Sequence, residues 1–296
     1  MNKLMTVVAA SVCAVSFSAT AFAAADASAE SKKNAEAMEE AEAKIFEAGV
    51  DIDLFSAYVW RQMVQSNQLV LQPCVWADFT YFEPFWVGFS YWQNWDLSDD
   101  RMGARKEFTR RLNETDYNIH AGVTVWENED KDMNFDLELG HEWFTYHNVN
   151  NNIPWNEHPS CRELYLKGRF ANPVVDVYGM VCWDYDGTED LNAHKNGFYY
   201  ELGLNREFEL CDALSLGLDG STGIRDGEYL GSGGIGSCFV GATLKSYLTW
   251  EVTDWMSIVG TIAYTGLLDK ELRGNARDAG VDRDLLWGGI SAKFAF

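Results

Sequence analysis

From residue 50 onward the chain divides into twelve amphipathic segments whose connections alternate between short and long. The segments run 50–61, 69–82, 85–94, 114–126, 133–147, 160–170, 174–186, 197–208, 213–223, 239–251, 255–266 and 286–296. The even-numbered connections are tight: Glu83-Pro84, Glu127 to Asp132, Ala171 to Pro173, Glu209 to Asp212, and Val252 to Asp254. The odd-numbered ones, 62–68, 95–113, 148–159, 187–196, 224–238 and 267–285, are all longer. Short turns at one end and long loops at the other are what a membrane-spanning barrel needs on its inner and outer sides. An even strand count brings both ends of the sheet to one side and lets the first strand pair with the last, so no open edge faces lipid.

The residue pattern within the segments agrees. In 114–126, Tyr117, Ile119, Ala121, Val123 and Val125 face one way and Asp116, Asn118, His120 and Thr124 the other. In 160–170, Leu164, Leu166 and Phe170 oppose Glu163, Tyr165, Lys167 and Arg169. In 239–251, Val240, Ala242, Leu244, Leu248 and Trp250 oppose Thr243, Lys245, Tyr247 and Thr249. This is the period of two expected of strands with one lipid face and one watery face. Mean hydropathy of −0.23 excludes a bundle of membrane helices, because alternation averages the apolar face away. The last segment ends on Phe294 and Phe296, which share a parity with Leu286, Ile290 and Ala292; this ending resembles the terminal-aromatic insertion signal that the barrel-assembly machinery reads, with Ser291 where that signal often has glycine. Two residues sit awkwardly. Arg206 falls on the lipid parity near a periplasmic end, and His141 falls on the lipid parity beside Gly140, where a bulge is expected to turn it inward.

Ahead of the barrel, residues 1–23 read as a cleaved secretory signal. Lys3 precedes an apolar run from Leu4 to Val15, and Ala21-Phe22-Ala23 forms a small-residue cleavage site. Cleavage takes the formal charge from −22 to −23, since it removes Lys3 and no acid. Residues 24–49 are rich in Ala, Glu and Lys, with Met38, Ala41 and Ile45 at helical spacing, and predict a short periplasmic helical segment. The fold expected is therefore all-β: a closed antiparallel transmembrane barrel of about 12 strands over 50–296, in the outer membrane of a Gram-negative bacterium. Five cysteines follow the signal (Cys74, Cys161, Cys182, Cys211 and Cys238), and their spacing fixes no pairing.

Candidate functional residues are those of the inward parity. Asp78, Asp116, His120, Asp136, Glu138, Glu142, Glu163, Lys167, Arg169, Asp176, Glu201, Asp219 and Lys245 are expected to line the lumen. Over the whole inward set acids outnumber bases about three to one, which favours cations in a watery interior. Arg101, Arg105, Lys106, Arg110 and Arg111 form a basic stretch in the third connection, 95–113, and are the candidates for a loop that narrows the pore. A charge of −22 excludes nucleic acid as a partner. The spelling GxGxxG over 231–236 precedes a strand rather than a helix and reads as a flexible loop. The five histidines show no metal spacing, and no cofactor is expected. His120, near Asp116 and Glu142, is the best acid–base candidate of a chain that is otherwise not expected to be an enzyme.

Several short stretches resemble the TorF family of porin-like barrels. They are Ser56-Ala57-Tyr58-Val59-Trp60-Arg61 with Leu71-Gln72-Pro73, Tyr117 to Val125, Leu137 to Tyr146, Glu163-Leu164-Tyr165-Leu166, Trp183-Asp184-Tyr185, and Tyr199-Tyr200-Glu201-Leu202. Gln62 stands where that family commonly has glycine. The resemblance implies an exported porin-like barrel and carries over no catalytic residue. Together with the acidic lumen, it predicts passive passage of small hydrophilic solutes or cations across the outer membrane, with membrane lipid as the surrounding partner. The alternatives are a closed adaptor barrel that binds a periplasmic or surface partner, and a barrel hydrolase using His120.

Overall fold

The structure is a computed structural model that describes residues 46–97, 112–147, 160–185, 196–227, 229, 236–278 and 282–296. Its strands are β1 (Phe46–Phe55), β2 (Tyr58–Trp60), β3 (Met63–Ser66), β4 (Val70–Phe82), β5 (Phe85–Asp96), β6 (Leu112–Asn128), β7 (Met133–Tyr146), β8 (Ser160–Ala171), β9 (Asp176–Asp184), β10 (Gly197–Cys211), β11 (Leu214–Arg225), β12 (Cys238–Thr253), β13 (Met256–Leu267) and β14 (Asp284–Ala295). One helix, α1 (Lys270–Asp278), lies between the last two. β1 and β4 through β14 form a closed ring of twelve strands, each antiparallel to its neighbours. β2 and β3 stand apart as a two-stranded hairpin.

Closure is made by β1 and β14, with Gly49 opposite Ala295 and Phe55 opposite Gly289. Ala48 and Phe296 extend the pairing by exchanging backbone hydrogen bonds of 3.2 and 2.8 Å. In lipid every unpaired amide is costly, so this seam decides whether the sheet can exist there at all. The outward parity is apolar and open to the surroundings: Ile119, Leu139, Leu166, Leu244, Ile262 and Ile290 are each roughly half exposed or more. A belt of this kind around a whole barrel belongs in hydrocarbon. Trp255 stacks on Phe294 and Phe296 at the periplasmic end, and Trp183, Phe198 and Tyr200 stack near the opposite end, where amphipathic rings sit at an interface.

The structure differs from the sequence reading in several places. β1 starts at Phe46 rather than Val50, because Phe46 and Ala48 continue the apolar parity opposite Phe79 and Ala77 of β4. The rest of the helical expectation, 24–45, and the signal, 1–23, lie outside the described residues. The first segment does not run unbroken to residue 61. β1 stops at Phe55, and the chain turns inward through β2 and β3. The last long connection, expected as a loop, contains α1, which Asp269 starts by accepting hydrogen bonds from the amides of Glu271 and Leu272. No register shift occurs at Gly140, so His141 keeps its outward parity, with its ring against Trp143 and its Nε2 at the Tyr185 hydroxyl. Arg206 stays near the periplasmic end of β10, its guanidinium over the Phe208 ring.

Gly140 has a different use. The Tyr165 ring of β8 lies over it, and a Cβ at residue 140 would come within 2.2 Å of that ring. Tyr165 can then donate from its hydroxyl to Glu138, 2.8 Å away. Gly140→Val forces ring and strand apart. The expected loss is about 1–3 kcal/mol, measured by urea unfolding of the protein in lipid vesicles.

Candidate functional site: the barrel interior and its inserted hairpin

The β2–β3 hairpin folds from the outer rim into the barrel, and its turn is made by Arg61 and Gln62. Both have positive φ, 47° and 62°, as a two-residue type I′ turn requires. Glycine and asparagine usually fill such positions, and an ordinary side chain costs roughly 1–2 kcal/mol at each. The contacts of the two side chains offset that cost.

Arg61 donates to Glu163 through both terminal nitrogens, at 3.0 and 2.6 Å, and reaches the Cys182 sulfur at 3.3 Å. Glu142 lies 3.6 Å away. The rings of Trp60, Tyr199 and Tyr229 surround the guanidinium at 4.3, 4.8 and 5.5 Å. Tyr229 also donates to Glu163 at 2.7 Å, which leaves that fully buried carboxylate well satisfied. Burial by itself would lower the pKa of Arg61, but the charges of Glu163 and Glu142 outweigh it and raise the pKa, so the guanidinium stays charged. Gln62 donates to Glu201 at 3.0 Å and Ser221 at 3.1 Å, while the Tyr199 hydroxyl lies 2.6 Å from its Oε1. Its seat against β12 exists because residue 241 is glycine; a Cβ there would stand 2.9 Å from the Cβ of Gln62.

Apolar packing holds the same hairpin from above. Trp60 and Met63 pack against a cluster of Tyr165, Cys182, Tyr199, Tyr229, Val240, Leu267 and Leu272. Leu272 and its neighbour Ala276 come from α1, so the helix helps to cover the hairpin at the mouth.

The lumen candidates all lie on barrel strands, and their partners are mostly one another. Asp78 meets His120 Nε2 at 3.1 Å, and His120 Nδ1 meets Asn118 Oδ1 at 2.9 Å, so neither ring nitrogen is left for a hydroxyl nucleophile. Thr124 donates to Asp136 at 2.8 Å, with Arg169 3.9 Å from the same carboxylate. Arg169 pairs with Asp176 at 2.5 Å. Lys167 sits over the Tyr178 ring, whose hydroxyl donates to Glu201 at 2.8 Å. Lys245 lies 3.8 Å from Asp219 and over Tyr247. Asn118 donates to Glu142 at 3.2 Å. Asp116 differs from these, with its Oδ1 buried and without a hydrogen-bond partner. The basic stretch Arg101, Arg105, Lys106, Arg110 and Arg111 lies outside the described residues, as does most of the glycine stretch 231–236. Among the described residues, the loop cation that enters the barrel is Arg61, which the sequence reading placed at the end of a strand.

Two cavities flank the hairpin. One of about 670 Å³ runs beneath it along β1, β10 and β12 to β14, lined by Asp53, Glu207 and Glu251 together with Lys245 and Lys293. The other, of about 330 Å³, lies between β2 and the wall of β4 to β7. Val59 and Gln72 border both, so the hairpin is the partition between them. Among the described residues no group of three His, Cys, Asp or Glu side chains is arranged to hold a metal, and the five described cysteines are free thiols.

No protein-family model matches the chain, and no curated protein sequence matches it. Solved outer-membrane barrels are similar to it in structure. An outer-membrane channel from Pseudomonas putida shares 9% identity over 85% of this chain and 94% of its own, with a TM-score of 0.49. The NanC porin shares 8% over 83% and 98%, with a TM-score of 0.48. Outer-membrane phospholipase A from Escherichia coli shares 13% over 84% and 89%, with a TM-score of 0.46.

Removing the charge of Glu163 leaves a buried guanidinium without its main partner, a loss of about 3–5 kcal/mol that the strained turn cannot absorb. Glu163→Gln is therefore expected to release the hairpin. Trypsin added to the folded protein should then cut after Arg61 in the variant and spare that bond in the parent.

Proposed function

We propose that this chain is an outer-membrane channel for passive diffusion of small hydrophilic solutes, with a preference for cations, and that the β2–β3 hairpin sets its bore. The signal over 1–23 would export it, and the assembly machinery would read Phe294 and Phe296. The observation that carries the reading is the cavity of about 670 Å³ beneath the hairpin, with charged groups along its walls. A barrel built only as a scaffold has no use for ionisable side chains facing an interior space of that size, since each needs water or a partner. Near the periplasmic end the wall carries Glu207 and Glu251, and acids held along a low-dielectric bore concentrate cations there.

The hairpin adds a restriction at the outer third of the bore. Its anchors come from β7 to β11 on the wall opposite its own point of origin, so it crosses the opening rather than lining it. Solutes therefore pass beside it, or after it has swung free.

The test is ion current through the folded protein in a planar bilayer under a salt gradient. A steady current with a reversal potential of cationic sign is expected; a folded barrel that stays silent overturns the reading. Arg61→Ala, which detaches the hairpin, should raise the single-channel conductance about two- to fivefold. Glu207→Gln with Glu251→Gln should move the reversal potential toward zero while leaving the conductance within about twofold.

A further inference from the structure

The smaller cavity beside the hairpin carries groups that the channel reading does not use. Tyr58 and Trp60 of β2 form one side, and Trp92 of β5 and Phe144 of β7 the other; Tyr58 packs on Trp92 at 5.4 Å and Trp60 on Phe144 at 5.6 Å between ring centroids. Asp116 and Glu142 line the same space. Asp116 borders this cavity, and its Oδ1 is buried with no partner, a costly state for a carboxylate. Nearby charge does not cancel it. Arg61 is committed to Glu163 by two hydrogen bonds and reaches Glu142 only at 3.6 Å, while Glu114, also buried, already accepts from Tyr58.

From these observations we infer that the 330 Å³ cavity between the hairpin and the β4–β7 wall is a binding site for a small protonated alkylamine. Its ammonium group donates to Asp116 and its alkyl portion lies along the aromatic side chains that border the cavity. Each part of the site argues for one part of the ligand. The orphaned Asp116 oxygen calls for an N–H donor with positive charge, which a neutral sugar or an anion does not bring. The facing rings attract a weakly hydrated cation through their π faces and accept methylene groups, whereas a hydrated metal ion would lose its water to surfaces that cannot replace it. The volume admits a chain of a few carbons. Val59 and Gln72 border both cavities, so the site adjoins the larger cavity.

This assignment deepens the channel reading by giving it a solute class, and rests on it only for the direction of traffic. Binding is measured without current, by calorimetric titration of the full-length protein folded in detergent. The probes are n-butylammonium chloride, potassium chloride and 1-butanol at matched ionic strength. A saturable signal from butylammonium alone supports the site; no saturation, or an equal signal from potassium, overturns it. Asp116→Asn should weaken butylammonium about tenfold, and Glu129→Gln, on the exposed turn between β6 and β7, should leave it unchanged. An Asp116→Asn protein that binds as the parent does overturns the assignment. Should that variant fail to show the heat-dependent gel shift of a folded barrel, Trp92→Leu takes its place, with weaker binding expected and parental binding overturning. Saturable binding by a barrel that passes no current would sink the channel reading and leave the site; current without binding would do the reverse.

Discussion

In hydrocarbon no water is present to satisfy an amide, so the fold depends on the seam between β1 and β14. Eleven hairpin-linked pairings leave two open edges, and only the last pairing removes them. That requirement fixes much else: the even strand number, the common side for both ends of the sheet, and the outward alternation of apolar side chains. The interior is free of it. Polar groups there answer only to one another and to water, and so the interior can hold function.

The charged interior is organised around a guanidinium delivered from outside the wall. Arg61 reaches its partners because a five-residue excursion from the end of β1 carries it across the mouth, and the turn adopts a backbone that its own residue types disfavour. The preference of the turn and the demand of the site conflict at Arg61 and Gln62, and the site prevails through the buried pairing with Glu163 and the amide contacts of Gln62. Without those contacts the same residues would have no reason to stay at positive φ.

Much of the wall was legible in the sequence, because lipid on one side and water on the other impose a period of two that no other environment imposes for so long. The alternation of connection lengths gave the topology as well. The hairpin was not legible. Tyr58, Val59 and Trp60 look like a continuation of β1, and the turn lacks the glycine or asparagine that would mark it. Gln62 was the one visible oddity, a departure from the TorF pattern that the neighbouring stretch resembles. Three of the stretches that carried the TorF resemblance, Ser56 to Arg61, Glu163 to Leu166 and Tyr199 to Leu202, meet at this one point in space, which their separation along the chain concealed. Gly140 was misread for a related reason. A glycine in a strand signals either a bulge or a neighbour's ring, and only the adjacent strand tells which.

The hairpin also has a mechanical consequence. A barrel of twelve strands is wide enough to flatten under the lateral pressure of a bilayer, since hydrogen bonds along the wall resist stretching far better than they resist bending. Arg61 and Gln62 tie the rim at β1 to the wall at β8 through β11, nearly a diameter away. The segment that narrows the mouth therefore also braces it, as a spoke keeps a rim round. A bore whose cross-section is held by a spoke keeps the spacing of its wall charges constant as the surrounding membrane is compressed or thinned.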